Sequence, residues 1–358
     1  MVRIDVRSER ARYPVLIGPG LARRLPELLT LAEASQTGVV VSSPAIWNRH
    51  ARRLRRPAGF GPAALVPDGE RAKTLATAAR LYDECVDRRL DRGATLVAFG
   101  GGVIGDVAGF VAATYLRGIA LVQVPTTLLA QVDSAIGGKV GVNLPAGKNL
   151  VGAFHPPRLV VCDPELLGTL VRREYRAGLY EVIKYGVIAS PALLGRLESD
   201  LDAIFDRDLG ALTPVIVECC RIKADVVSAD ERESGRRRVL NFGHTVGHAL
   251  EAITKYRRFR HGEAIAYGML AAAQLSVARG SMTGAEAGRL QKLIERLGPL
   301  PAVADLRSSD ALSAIRRDKK VVDGRLHFVL ARGLGATAIA ADVTERELTT
   351  VMTQIGMT

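Results

Sequence analysis

The stretch TLVAFGGGVIGDVAGF, residues 95–110, indicates how this chain folds. It begins as a short apolar run and passes through glycines into a segment, 103–116, with the length and periodicity of a helix. A buried strand that turns directly into a helix is typical of an α/β domain with a parallel sheet. The turn lets a phosphate approach the backbone, although a tight turn without a ligand shows the same pattern. Its glycines are Gly100, Gly101, Gly102 and Gly105.

The same alternation extends to both sides of this stretch. Apolar runs at 37–43, 63–69, 119–127 and 158–164 indicate further buried strands, and 72–91 indicates a helix. After about residue 165 the pattern is largely helical, with a hairpin at 324–343 and a last helix at 345–355. We therefore predict an α/β fold, with an N-terminal, mostly parallel Rossmann-like sheet domain at 1–165 and a largely α-helical domain at 166–358. The helices are expected at 173–188, 191–205, 212–228, 240–254, 262–279 and 285–297.

Composition and charge exclude several classes of protein. With 358 residues, 48% of them apolar, the chain is expected to form two globular domains. No apolar run approaches the ~18 residues of a membrane span, and the charged N-terminus lacks a secretory pattern, so we expect a cytoplasmic protein without a membrane partner. The net charge of +12 comes from scattered arginines. This distribution argues against nucleic acid and favours a small anionic substrate.

Lysine is rare here, with nine among the 49 basic residues, and seven of the nine lie in motifs of possible function. The segment VPTTLLAQVDSAIGGKVGVNLPAGKNLVGAFHPP, 124–157, carries Asp133, Lys139, Asn143, Lys148 and Asn149 among many glycines, which predicts an anion-binding loop. PDGERAKT, 67–74, places Glu70 and Lys73 at the edge of the same sheet. Taken alone, Glu70 and Lys73 indicate a surface ion pair at the start of a helix. Together with the glycine turn at the same sheet edge, they predict a contact to a cofactor.

Histidine spacing predicts a metal site. His244 and His248 are four residues apart in NFGHTVGHALE and therefore share a helix face, and His261 opens HGEAIAYGM. Three histidines within eighteen residues favour a divalent metal over simple packing. Glu181 in YEVIKYG is a candidate carboxylate ligand, because an unpaired buried glutamate is costly, and Lys184 follows one turn later. Further basic residues suit a phosphorylated acid: Lys223, Arg237, Lys319 and Lys320.

In this order, these motifs resemble the 3-dehydroquinate synthase family of sugar-phosphate cyclases over residues 63–330. The resemblance implies an NAD-binding α/β domain, a helical domain, a homodimer and one Zn²⁺ or Co²⁺ ion. It also implies a carbon–oxygen lyase of the shikimate pathway, which leads to the aromatic amino acids. Such an enzyme converts 3-deoxy-D-arabino-heptulosonate 7-phosphate to 3-dehydroquinate and phosphate, with catalytic NAD and no net redox change.

The resemblance also assigns roles to matching residues of this sequence. The metal ligands it implies are Glu181, His244 and His261, and His248 then faces the substrate phosphate. The implied catalytic residues are Lys184, Lys223, His248 and Asp133. The implied substrate contacts are Lys139, Asn149, Arg237, Asn241, Lys319 or Lys320, and Arg117 acting in the partner's site. The implied NAD contacts are Glu70, Lys73, Gly101, Gly102, Val103, Ile104, Gly105, Asp106, Thr126, Thr127, Lys139 and Lys148.

The sequence departs from the family pattern at three places and leaves three alternatives open. Tyr180 stands where a small residue is common before the glutamate, TLVRRE (169–174) lacks a proline, and VSSPAIW (41–47) lacks an acidic contact to the adenosine. One alternative is a cyclase that makes 2-deoxy-scyllo-inosose or an epi-valiolone, against which GGKVGVN and GKNLVGAF argue. The others are a metal-dependent polyol dehydrogenase, which would produce NADH, and a basic protein that only binds.

Overall fold

The computed structural model of the chain describes residues 1–9, 11–233, 235–317, 321–322 and 325–358. The chain forms two compact units, of which the first comprises Met1–Val171 with Arg207–Arg232 and the second Arg172–Asp206 with Glu233–Thr358. A helix of the later half, Leu209–Ala229, therefore groups with the first unit. The division into domains at residue 165 stays a prediction.

An eight-stranded sheet organises the first unit, beside a separate two-stranded hairpin. The strands are β1 (Val2–Arg7), β2 (Arg12–Ile17), β3 (Thr37–Ser42), β4 (Gly59–Phe60), β5 (Ala64–Leu65), β6 (Thr95–Gly100), β7 (Ala120–Pro125), the separate hairpin of β8 (Lys139–Leu144) and β9 (Gly147–Phe154), and β10 (Leu159–Cys162). The order in the large sheet is β1-β2-β10-β7-β6-β3-β4, with β5 also paired to β3. Only the β1–β2 pair is antiparallel among the strands of this sheet, so the predicted, mostly parallel sheet is confirmed.

Apolar cores lie on both faces of this sheet, which explains why its central strands are continuous apolar runs. Leu96 and Ala98 of β6 belong to one core cluster, whereas Val97 and Phe99 belong to another, as the alternation of side chains along a strand requires. The N-terminal helices of this unit are α1 (Leu25–Leu31), α2 (Pro44–His50), α3 (Leu75–Asp87) and α4 (Gly102–Thr114).

Helices dominate the second unit, as the sequence predicts. A two-stranded hairpin near its end pairs Phe328 with Ala340, within the segment where a hairpin was expected. The helices are α5 (Arg172–Ala189), α6 (Pro191–Ser199), α7 (Leu201–Phe205), then α8 (Leu209–Ala229) of the first unit, α9 (His244–Ile253), α10 (His261–Ala278), α11 (Gly284–Arg296), α12 (Ser308–Arg316) and α13 (Glu345–Gln354). The remaining strands are β11 (Val321–Val322), β12 (Arg325–Leu326), β13 (Phe328–Ala331) and β14 (Thr337–Ala340).

Several local predictions are wrong. The segment 124–157 is not one loop, because it contains a helical turn at Ala130–Ser134 and the β8–β9 hairpin. The glycines of this hairpin allow its strands to meet, since a Cβ on Gly141 would lie 2.7 Å from the Val151 oxygen. The helix predicted at 191–205 is two helices that divide at Asp200, and the strand predicted at 63–69 is reduced to Ala64–Leu65.

The sequence patterns also missed the β1–β2 hairpin and three short helices, α1, α2 and α12. Among the described residues, no helix combines the length and the apolar character that a bilayer crossing requires.

Candidate active site

The predicted NAD contacts of the glycine turn come together at one edge of the first unit's sheet. β6 and β7 are parallel and end side by side, where the Thr126 amide donates to the Gly100 oxygen at 2.9 Å. A Cβ on Gly101 would lie 3.0 Å from Thr127 Cγ2, so the two turns are in close contact. Helix α4 starts here at Gly102 without a side-chain cap. Its first N–H groups and its positive dipole end can therefore bind an anion.

A polar network connects this turn to the other predicted cofactor residues. The ammonium of Lys73, which is buried, pairs with Asp106 of α4. Burial raises the pKa of Asp106, although the neighbouring Lys73 opposes this shift. Asn143 donates its side-chain amide to Glu70 at 2.8 Å and its backbone N–H to the Lys73 oxygen at 2.8 Å, and Lys148 Nζ lies 3.7 Å from Glu70. Asn143, which the sequence placed in the anion-binding loop without a specific cofactor or substrate contact, thus joins the 67–74 segment to the β8–β9 hairpin.

The substrate residues predicted in the first unit fall into two groups. Lys223 of α8 forms an ion pair with Asp133, and both side chains are largely buried. Lys139 and Asn149 instead lie exposed on the β8–β9 hairpin. There the backbone N–H of Asn149 donates to Asn143 Oδ1 at 2.9 Å. Asn149 has a φ of 54°, a left-handed conformation that asparagine tolerates better than most residues.

Arg117 lies apart from both groups. It follows α4 on the surface with a φ of 68°, and its neighbour Leu116 is also left-handed at 49°. Such a conformation costs energy in both residues, so the backbone here is held in an unusual arrangement that presents Arg117 outward.

The predicted metal ligands converge within the second unit. Glu181 lies on α5 and is completely buried. Its Oε1 atom is 3.8 Å from His244 Nε2 at the start of α9 and 3.6 Å from His261 Nε2 at the start of α10. Three helices therefore bring one carboxylate and two imidazoles to one point.

The hydrogen bond at Nδ1 of each imidazole determines which ring nitrogen can bind a metal. Nδ1 of His244 is 3.1 Å from the Phe242 oxygen, and Nδ1 of His261 is 3.2 Å from Glu251 Oε2. A carbonyl and a carboxylate only accept hydrogen bonds, so Nδ1 of each ring carries the proton and Nε2 holds the electron pair that can bind a metal. Burial opposes a charged imidazole at His261, but the carboxylates of Glu251 and Glu181 outweigh it and raise its pKa.

This donor set fits a divalent metal ion. Oε1 of Glu181 accepts no hydrogen bond from any described residue, whereas Oε2 is paired with the Lys184 ammonium. Tetrahedral ligation by nitrogen and oxygen at about 2.0–2.2 Å would place the donors about 3.4 Å apart, close to the 3.6 and 3.8 Å observed. Because buried carboxylate oxygens without hydrogen bonds are costly, a cation here would offset that cost.

His248 also lies beside this cluster. Its ring centroid is 5.3 Å from that of His244 and 5.9 Å from that of His261, and ligand atoms of the three histidines all lie within 4.8 Å of one another. Proximity alone therefore admits His248 as a ligand, whereas the family resemblance assigns it to the substrate phosphate.

The remaining predicted substrate residues of this unit precede α9. Arg237 is buried in the turn Arg236–Asn241, and Asn241 donates to Glu233 Oε1 at 2.6 Å. Glu233 and Glu251 were both missed by the sequence reasoning. The position of Glu251, seven residues after His244, was an available signal because residues i and i+7 share a helix face. Lys319 and Lys320 lie outside the described residues.

Solved structures share this fold over nearly the whole chain. A 2-epi-5-epi-valiolone synthase from Streptomyces hygroscopicus subsp. jinggangensis, with NAD⁺ and Zn²⁺ bound, superposes with a TM-score of 0.88 at 28% identity, over 99% of both chains. A 2-deoxy-scyllo-inosose synthase complexed with carbaglucose-6-phosphate, NAD⁺ and Co²⁺ gives 0.88 at 26% identity, over 99% of this chain and 100% of that one. A probable glycerol dehydrogenase from Sinorhizobium meliloti is similar in fold alone, at 17% identity, a TM-score of 0.64 and 96% coverage of both chains.

Sequence comparison identifies the family to which the chain belongs within this fold. The family models for the N-terminal and C-terminal parts of 3-dehydroquinate synthase match residues 63–177 and 178–321. A 3-dehydroquinate synthase from Pelotomaculum thermopropionicum is 48% identical over 95% of this chain and 93% of its own length. One from Geobacter metallireducens is 52% identical over 84% of this chain and 83% of its own. The chain belongs to the 3-dehydroquinate synthase family.

Proposed function

We propose that this protein converts 3-deoxy-D-arabino-heptulosonate 7-phosphate to 3-dehydroquinate and phosphate, as a cytoplasmic carbon–oxygen lyase that depends on NAD and a divalent metal. The observation that carries the proposal is the convergence of His244 Nε2 and His261 Nε2 on a buried Glu181 oxygen without a hydrogen bond. The relatives named 3-dehydroquinate synthase support the choice of substrate.

NAD would bind to the first unit. Its pyrophosphate would lie at the N-terminus of α4, where backbone N–H groups and the helix dipole favour negative charge. When bound, NAD supplies a hydride acceptor that makes the C–H bond beside the oxidised carbon acidic, and it is regenerated in the same turnover. Glu70 would accept hydrogen bonds from a ribose, and Lys73, fixed by Asp106, would place a positive charge close to the nucleotide.

Glu181, His244 and His261 would hold one Zn²⁺ or Co²⁺ ion. When bound, the ion supplies Lewis-acid stabilisation of negative charge on substrate oxygens. Lys184 lies one helical turn from Glu181 with its ammonium buried, so it would provide a fixed positive charge or a proton donor next to the same oxygens.

The substrate is a carboxylate with a phosphate, and the remaining predicted residues match this chemistry. Arg237 and His248 would bind acidic groups, since guanidinium and imidazole N–H groups are suited to phosphate and carboxylate oxygens. Lys139, Asn149, Asn241 and one of Lys319 or Lys320 would add hydrogen bonds. Lys223 and Asp133 form a preorganised pair that would orient ring hydroxyls.

Release of phosphate with a trace of NAD⁺ tests this function directly. Metal-free protein, Zn²⁺-loaded protein and Zn²⁺-loaded protein with chelator are each given the heptulosonate phosphate and substoichiometric NAD⁺. We expect many phosphates per NAD⁺, no accumulation of NADH, and no release in the metal-free and chelator samples. Accumulation of NADH with a polyol would instead identify a dehydrogenase. Turnover of a different sugar phosphate alone, to 2-deoxy-scyllo-inosose or an epi-valiolone, would identify another cyclase.

We also propose a homodimer in which Arg117 acts in the partner's site. Its exposure and its strained left-handed backbone are consistent with a residue presented to a second copy. Arg117→Ala and Lys184→Ala should each be inactive alone. A refolded equal mixture should regain about a quarter of the wild-type activity, because half of the dimers then contain one intact site. An inactive mixture that forms mixed dimers contradicts this role.

A further inference from the structure

Glu251 occupies a position behind one of the metal ligands. It lies on α9, seven residues after His244, and its side chain is almost fully buried. Its Oε2 atom is 3.2 Å from His261 Nδ1, on the side of the imidazole opposite the nitrogen that faces Glu181. A carboxylate, an imidazole and the metal position are therefore arranged in series.

We propose that Glu251 is a positioning residue that sets both the orientation and the donor strength of His261, an inference that rests on the proposed metal-dependent function. A carboxylate on Nδ1–H prevents the ring from turning over and keeps Nε2 directed at the metal position. It also increases electron density on Nε2, which strengthens the bond to a cation.

The two histidine ligands are supported by different acceptors. His244 donates Nδ1–H to the neutral Phe242 carbonyl, whereas His261 donates to the charged carboxylate of Glu251. Charge-assisted hydrogen bonds are roughly twice as strong as neutral ones. His261, which opens α10 and is the more exposed of the two rings, therefore has the stronger support.

Metal affinity and the Co²⁺ spectrum test this role without an activity assay. We compare wild type, Glu251→Gln, Glu251→Ala and the control Glu286→Gln, each prepared metal-free and checked for folding by urea unfolding. Glu286 is a matched carboxylate of the same unit, because it caps α11 and accepts the Leu334 amide at 3.1 Å. Zn²⁺ affinity is measured by competition with a chromophoric chelator, and Co²⁺-loaded protein is examined by visible absorption.

We expect Glu251→Ala to weaken Zn²⁺ binding about 10- to 100-fold and to change the Co²⁺ absorption bands. Glu251→Gln should lie between it and wild type, since an amide oxygen still accepts the hydrogen bond but carries no charge. Glu286→Gln should bind like wild type. If Glu251→Ala does not fold, Glu251→Gln decides: a lower affinity supports the inference and an unchanged one overturns it.

Other outcomes separate this inference from the proposed function. Wild-type affinity and an unchanged spectrum in the Glu251 variants overturn the inference alone. An equal loss in Glu286→Gln also overturns it, because the effect would then be general. A wild-type protein that takes up no metal overturns both.

Discussion

Replacing Gly262 by alanine places a methyl group where the second unit has no room. A Cβ at this position would lie 1.9 Å from the Ala177 carbonyl oxygen and 2.7 Å from its carbon. Gly262 follows the proposed ligand His261 on α10, and Ala177 lies one turn before the proposed ligand Glu181 on α5. The glycine therefore allows the close helix approach that brings these two side chains to 3.6 Å.

The size of the effect follows from these distances. Ordinary van der Waals contact of a Cβ begins at about 3.4 Å, so one helix must move by about 1.5 Å. Metal–ligand bonds tolerate only about 0.2 Å, so this movement removes His261 from ligation. We expect metal affinity to fall at least about 100-fold. Overpacking should also lower the free energy of unfolding by about 3 kcal/mol, at the upper end of its usual range.

The assay combines urea unfolding of the metal-free protein with Zn²⁺ content after dialysis, and Gly288→Ala is the matched control. Gly288 lies inside α11, and nothing lies within 4 Å of a Cβ built there. Because alanine favours helix, this control should be more stable by up to about 1 kcal/mol and keep its metal. A Gly262→Ala protein with wild-type stability and stoichiometric Zn²⁺ would refute the reasoning.

Three further predictions concern side chains of the second unit. His248→Ala should keep stoichiometric Zn²⁺ while turnover falls at least about 100-fold; loss of the metal would make His248 a ligand. Lys184→Ala should also retain metal and lose most turnover, and unaltered kinetics would remove Lys184 from the catalytic set. The Arg279 hydrogen bond lowers the pKa of Glu347 from an ordinary value of 4.5 to about 2. This pair therefore stabilises the fold above about pH 4.5, and the contribution is lost as the pH falls toward about 2. Arg279→Met should accordingly cost about 1 kcal/mol at neutral pH, measured by urea unfolding, because both side chains are partly exposed. A cost that did not shrink in acid would contradict this assignment.

Local patterns in the sequence were sufficient for the class of fold and for most of the candidate residues. The apolar runs of β3, β6, β7 and β10 are strong signals because both faces of these strands are buried. The spacing of His244 and His248 indicated one helix face, and His261 completed a possible metal set.

Sequence patterns predicted the fold less well where the local conformational preference of the residues and their tertiary packing disagree. The β8–β9 hairpin was taken for a loop because its glycines suggest turns, whereas they serve the close contact of two strands. The β1–β2 hairpin was missed although its strands carry a signal, since VRIDVR alternates between apolar and charged residues and RYPVLI ends in an apolar run.

Tertiary structure alone decided which groups meet. Residue patterns left the relation of Glu181 to the histidines open, since 63 and 80 residues separate it from His244 and His261, and only the family resemblance grouped the three. Packing of α5 against α10 through Gly262 brings them together, and it also places Glu251 behind His261. Periodicity reports which face of an element is buried, but the distance between two faces depends on the side chains that pack between them, and these come from distant parts of the chain.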